Sequence, residues 1–272
     1  MSIVAGILVG MGSTAVSPIE QGTAPARLTP VREIAAHSGA VTELAWSPDG
    51  GILASASGDY TAEAADSLRL WSTAGDPLAD QPQAAHTFSL DWSPDGSLLA
   101  AGSSDGRIAL YDRDGELVRE FGSESGAIMS LDWSPSGDRL AAGRLVSTSD
   151  NEAQIWTLDG DLLHRLPTDY SGGKFYYVGW SPDGRFLAAG ATDYALWTAD
   201  GELIFHCERC EFCTPAWGFG WSPDSTLWAT GDESGFVMVF SIRVRSSPTW
   251  KTRAMSTRSP GRQMANCLPG VI

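Results

Sequence analysis

Cations, histidines and recognisable catalytic motifs are what this chain has least of. Only 18 of its 272 residues are Lys or Arg, against 33 Asp or Glu, which gives a formal charge of −15. Nucleic acid needs a basic face that releases counterions on binding, so the acidic balance argues against it as a partner. The four histidines, His37, His86, His164 and His206, are too scattered for a catalytic set. No G-x-x-x-x-G-K-[ST] cradles a phosphate, and no H-E-x-x-H holds a catalytic metal. Gly122-Ser123-Glu124-Ser125-Gly126 has the outline of a nucleophile elbow, but Glu124 stands where the nucleophile belongs. The expectation is a protein that is not an enzyme. Long apolar runs are also missing, since residues 3–9 are too short and glycine-broken for a membrane span. Residues 2–19 carry no charge, and Ala15-Val16-Ser17 offers a small-residue cleavage site, yet the basic residues that open a secretory signal are absent. A cytoplasmic protein is expected; a secreted or periplasmic one is the alternative if residues 1–17 act as a signal peptide.

What the chain does have is one stretch used five times. It reads Trp46-Ser47-Pro48-Asp49-Gly50, Trp92-Ser93-Pro94-Asp95-Gly96, Trp133-Ser134-Pro135-Ser136-Gly137, Trp180-Ser181-Pro182-Asp183-Gly184 and Trp221-Ser222-Pro223-Asp224-Ser225. The tryptophans lie 46, 41, 47 and 41 residues apart, the length of one four-stranded propeller blade. Proline sets φ for a type I turn, Ser and Asp accept backbone amides, and Gly tolerates the left-handed position that follows. Alternating apolar runs flank each turn, such as Val41-Thr42-Glu43-Leu44-Ala45-Trp46 before the first, which is the pattern of paired strands. A third strand ends in an aromatic residue, Trp71, Tyr111, Trp156, Trp197 or Phe240, and turns such as Asp114-Gly115-Glu116-Leu117 lead into a fourth. The predicted fold is all-β, a propeller of about five four-stranded antiparallel blades. With about 75% of the unfolded surface removed from water at this length, an apolar core is within reach without disulfides.

The unit at residues 41–55, with Ser67-Leu68-Arg69-Leu70-Trp71 and a preceding His37, resembles the WD-repeat β-propeller family over roughly residues 31–242. The resemblance implies a hydrogen-bonded tetrad that stiffens each blade, supplied in the first unit by His37, Ser55, Trp71 and either Asp59 or Asp66. The other units depart from it. The position nine before the anchor tryptophan is Glu124, Ser171 and Phe212 in units three to five, and the second unit keeps only Asp105 and Tyr111. The family role implied is that of an interaction scaffold that binds protein partners, within a larger complex.

Three segments are expected: a poorly ordered leader and linker (1–30), the five repeats (31–242), and a basic tail (243–272), disordered or weakly docked. The tail holds six basic residues and no acid, so the rest of the chain carries −21. Residues 31–36 read as an outer strand, which predicts that they complete the fifth blade; the alternative is an incomplete arc. Extra residues fall between second and third strands in the first and third units. They nominate Tyr60, Glu63, Asp66, Asp150, Asn151 and Glu152 as partner-binding loop residues. His206, Cys207, Cys210 and Cys213 form the one constellation with chemistry in it. C-x-x-C-x-x-C suits zinc or an iron–sulfur cluster, with His206 or Cys267 as fourth ligand, and a metal- or redox-sensing propeller is the alternative function. Free thiols or a single disulfide are the competing readings of the same loop.

Overall fold

Each W-S-P turn is built by its own side chains. In the first copy the Ser47 hydroxyl donates to Asp49 Oδ1 (2.6 Å) and accepts the Ile52 amide (2.9 Å), while Asp49 Oδ1 accepts the Gly51 amide (3.0 Å). Gly50 follows at φ 68°, where a Cβ would be strained. The hydroxyl–carboxylate pair recurs at Ser93–Asp95, Ser181–Asp183 and Ser222–Asp224. In the third copy Ser136 replaces the aspartate, and Asp138 takes over, accepting from Ser134 at 3.1 Å. The fifth copy has Ser225 at the glycine position with φ 58°. That conformation costs a residue with a Cβ about 1–2 kcal/mol. The buried Ser225 hydroxyl offsets it by accepting the Asp183 amide of the preceding unit at 3.0 Å.

The computed structural model describes residues 32–57, 66–122, 126–146, 151–167, 175–191, 194–207, 216–232, 237–242, 253–255 and 267–269. Those residues are all-β. The first blade is β1 (Val41–Trp46), β2 (Ile52–Ser57), β3 (Asp66–Ser72) and β4 (Pro77–Gln83). The second is β5 (Thr87–Trp92), β6 (Leu98–Ser103), β7 (Arg107–Asp112) and β8 (Leu117–Gly122). The third is β9 (Ala127–Trp133), β10 (Arg139–Leu145), β11 (Asn151–Thr157) and β12 (Leu162–Pro167). β13 (Phe175–Trp180), β14 (Phe186–Ala191), β15 (Tyr194–Thr198) and β16 (Leu203–Cys207) make the fourth. β17 (Ala216–Trp221), β18 (Leu227–Asp232) and β19 (Val237–Ser241) open the fifth. Every blade is an antiparallel meander with its strands in chain order.

The core is not inside any blade but between them. Ala45, Ala54, Leu68 and Leu70 of blade 1 pack against Leu90, Trp92 and Leu99 of blade 2, and three similar clusters follow along the arc. Buried alanines at the second strands, among them Ala54, Ala100, Ala141 and Ala188, let the next blade's tryptophan approach closely. In the second seam Ile128 fills the space beside Gly102, where a Cβ would sit 2.5 Å from its Cγ2.

Two expectations about the ends are corrected. Residues 32–37 do not complete the fifth blade; they form no strand and lie against the first. Arg32 Nη1 donates to the Ala74 carbonyl (2.7 Å) and pairs with Asp76 (2.8 Å), Ile34 packs at Gly75, and Arg69 donates to the Ala36 carbonyl. These polar anchors, with His37, hold the segment against blade 1. The outer strand of the fifth blade comes instead from the basic tail: β20 (Arg253–Met255) pairs with β19 in the register Val239↔Met255. A further short strand, β21 (Cys267–Pro269), pairs with β16, so the fourth sheet has five strands and not four. No described strand joins blade 5 to blade 1, and the sheets form an open propeller arc.

Candidate interaction surface

In blade 1 the polar chain runs from strand to strand through His37. Trp71 Nε1 donates to Ser55 Oγ at 2.8 Å, His37 Nε2 lies 2.7 Å from the same hydroxyl, and His37 Nδ1 lies 3.1 Å from Ser67 Oγ. Ser67 stands where an aspartate was expected. Asp59 lies outside the described residues, and Asp66 is the first residue of β3. A serine hydroxyl that takes an indole N–H and an imidazole nitrogen ties β2, β3 and the entering chain into one unit.

The other blades solve the same problem with different residues. In blade 2 Tyr111 instead bonds across the seam to Gln83 of β4 in blade 1 (Gln83 Nε2 to the phenol, 3.0 Å), and burial raises the phenol above its ordinary pKa. In blade 3 Trp156 Nε1 donates to Gln154 Oε1 (3.1 Å), Gln154 Nε2 donates to Glu152, and Glu152 also receives Arg144 (2.9 Å) and Arg165 (2.7 Å). Glu152 was expected in a free loop. It is a strand residue, 16% exposed, and its carboxylate holds a buried arginine within the blade. Its signal in the sequence was E-x-Q-x-W, three polar-capable residues on one face of β11. In blade 5 the residue aligned with Ser55 is Thr230, and among the described residues its hydroxyl has no partner, Phe240 standing where the tryptophan donor stood.

Between blades, the inner strands are sewn by residues beside the anchor tryptophans. Asp91 Oδ2 accepts the Trp133 amide (2.8 Å) and Asp132 Oδ2 the Trp180 amide (2.5 Å); Ser89 and Ser130 accept the Leu131 and Val178 amides. Indole nitrogens add to this, with Trp92 on the Ala45 carbonyl, Trp133 on that of Asp91 and Trp221 on that of Gly179. The repeated hexapeptide S-L-D-W-S-P at residues 89–94 and 130–135 signals these ties in the sequence. Burial raises Glu43 to about 7, against the Leu44 amide, and the charge on Asp91 adds to it. Burial likewise lifts Asp91 to about 7 and carries Asp132 well above the usual carboxylate range, Asp91 again contributing to the latter. The turn carboxylates go the other way. Asp49 is drawn down to about 2 by the Ser47 hydroxyl and then the Gly51 amide.

Tyr60, Glu63 and Asp150 lie outside the described residues, and Asn151 opens β11. Cys210 and Cys213 also lie outside them; His206 is in β16, and the register sets Cys207, the last residue of β16, opposite Cys267 of β21. Among the described residues no three His, Cys, Asp or Glu groups gather as a metal site would require. A shallow groove of about 390 Å³ separates the turns of blades 2 and 3, bounded by Pro94, Asp95, Trp133, Pro135 and Leu158. No helix among the described residues is long and apolar enough to cross a membrane.

Two family models match the chain: the WD domain, G-beta repeat, over residues 28–63, and the anaphase-promoting complex subunit 4 WD40 domain over residues 66–136. No curated protein matches it. The first match contains the first W-S-P turn, the second contains the second turn and reaches into the third, and the unmatched blades repeat the same turn and strand order. Over residues 28–63 and 66–136 the chain is thus similar to WD-repeat proteins, and its five repeated turns and blades are consistent with that family.

Proposed function

We propose that this protein is a non-catalytic scaffold that binds protein partners through the loops and faces of its propeller arc, as one member of a larger complex in the cytoplasm. WD repeats generally mediate contacts between proteins and are typically non-enzymatic. The observation that carries the reading is where the reactive side chains go. His37 is engaged by two serines, Asp91 and Asp132 accept backbone amides, and Glu152 is engaged by two arginines and a glutamine. What could have been chemistry is used as frame, and a rigid frame with long β2–β3 and β10–β11 connections suits recognition. That one matched family is named for a subunit of a multi-subunit complex agrees with this role. The test replaces residues 58–65 and 146–150 with short turns like Ser104-Asp105-Gly106 of blade 2. Partners recovered with the full chain are expected to be lost by the loop variants at unchanged melting temperature. Turnover of a small substrate by the chain alone would reverse the reading.

A second reading makes the cysteine segment a zinc or iron–sulfur site. What supports it is the β16–β21 register, which brings Cys267 level with Cys207 at the start of C-x-x-C-x-x-C. Elemental analysis of protein purified without added metal decides it. About one equivalent of zinc or more is expected, and less than about 0.1 equivalent with all four thiols titratable removes the reading.

A further inference from the structure

Every inner seam of the arc joins two kinds of face. One is a plug, made by the anchor tryptophan and the residue two before it. The other is a socket on the preceding blade, made by residues near the start of its second and third strands and, in the seams closed by Trp92, Trp133 and Trp221, by the carbonyl one residue before its own tryptophan. In the plugs of blades 2 and 3, Trp92, Leu90, Trp133 and Leu131 are all 6% exposed or less. The same positions in blade 1 are Trp46 and Leu44, and they are 54% and 48% exposed.

The far end shows the complementary defect. Val237 aligns with Leu68, Ile108, Ala153 and Tyr194 in the register of second and third strands. Those four are at most 1% exposed, whereas Val237 is 66% exposed. Leu227, at the place of the buried Ile52 and Phe186, is 40% exposed. Gly179 and Gly220 occupy the same position of consecutive blades. A Cβ on Gly179 would meet the Phe219 ring at 2.5 Å, because blade 5 covers it; one on Gly220 would meet nothing within 4 Å. The Gly179 carbonyl takes the Trp221 indole, and that of Gly220 is its counterpart at the open end.

We propose that the Trp46 face of one copy seats in the Gly220–Leu227–Val237 face of a second copy, head to tail, as a further seam of the kind the chain already makes four times. The occupant follows from the molecule itself, since each open face is complementary to the other and one sequence carries both. The contact is heterologous, so it leaves one plug and one socket free in a dimer and continues to a ring or a filament. The −21 body opposes approach of like-charged copies, so association strengthens with salt as that repulsion is screened.

The test uses the full chain and two single substitutions at exposed positions, Trp46→Glu and Val237→Glu, followed by sedimentation and light scattering. The wild type is expected to associate below about 100 μM, and each variant to be monomeric, its association weakened about thirtyfold or more as for loss of a central apolar anchor. Mixed one to one, the two variants pair through the intact socket of Trp46→Glu and the intact plug of Val237→Glu, and stop at dimers. Leu44→Glu with Leu227→Glu repeats the cycle, and unchanged far-ultraviolet circular dichroism and melting show that each variant is folded. A wild type that stays monomeric at all concentrations, with its own chain covering the faces, overturns the proposal. So does an association that survives both substitutions, or a mixture that stays monomeric.

Discussion

Thermal stability should rise, not fall, as the solution is taken from pH 8 to pH 5. The reason lies in Glu43, Asp91 and Asp132, successive inner-strand carboxylates with raised pKa. A carboxyl with a folded pKa above its unfolded one contributes fully below the unfolded value, and the contribution is lost as pH rises through the folded value. For Glu43 that window runs from 4.5 to about 7. At about 1.4 kcal/mol per pKa unit the full shift corresponds to about 3 kcal/mol, and contact with water on one side reduces this to about 2 kcal/mol. In a domain of this size that is a change of roughly 4–8 °C in melting temperature. Glu43→Gln removes the charge and keeps the shape, so it should raise the melting temperature at pH 8, leave it unchanged at pH 4.5, and flatten the slope between them. The turn aspartates set the lower limit, because Asp49, held near 2, loses its contribution as pH falls through that value. Melts of wild type and Glu43→Gln by fluorescence at half-unit pH steps check the argument. A melting temperature that climbs from pH 5 to pH 8, or a variant with the wild-type slope, refutes it.

Three further outcomes follow from the same structure. Ser55→Ala strands the buried Trp71 indole and should destabilise by about 1–3 kcal/mol in urea titrations, whereas Thr230→Val, at the aligned but unpartnered hydroxyl, should be neutral or slightly stabilising. Glu152→Ala removes the carboxylate shared by Arg144, Arg165 and Gln154, and a loss of about 3 kcal/mol at neutral pH is expected by the same measurement. Truncation after residue 242 removes β20 and β21 and bares the edges of β19 and β16; a loss of about 1–2 kcal/mol or more and an increase in light scattering are expected.

The blades were legible because their information is local. Ser, Pro, Asp and Gly build the turn from within five residues, so five copies announce five hairpins without reference to the rest of the chain, and Ser136 misleads no one while Asp138 stands two residues on. The third-strand aromatics and the His37–Ser55–Trp71 chain could be read for the same reason, through fixed offsets from the anchor. Where the partner is distant in sequence, reading failed. Arg253-Ala254-Met255 has no alternation of its own and becomes a strand because β19 presents an open edge, which is a property of the fifth blade and not of the tail. Residues 31–36 lead into the first inner strand as a fourth strand does in other units, yet Arg32 finds Asp76 and the Ala74 carbonyl, contacts that no window on the sequence contains. Glu152 was counted into an insertion, because spacing measures where residues are extra and not which of them continue the strand. Asp91 and Asp132 look like solvent-facing positions in alternating strands. Only the neighbouring blade's tryptophan amide turns them inward into seam residues. The fold is therefore written within each repeat, and its cohesion between repeats. The two faces where a repeat has no neighbouring blade among the described residues, at Trp46 and at Val237, are where the same local code leaves apolar surface unmatched.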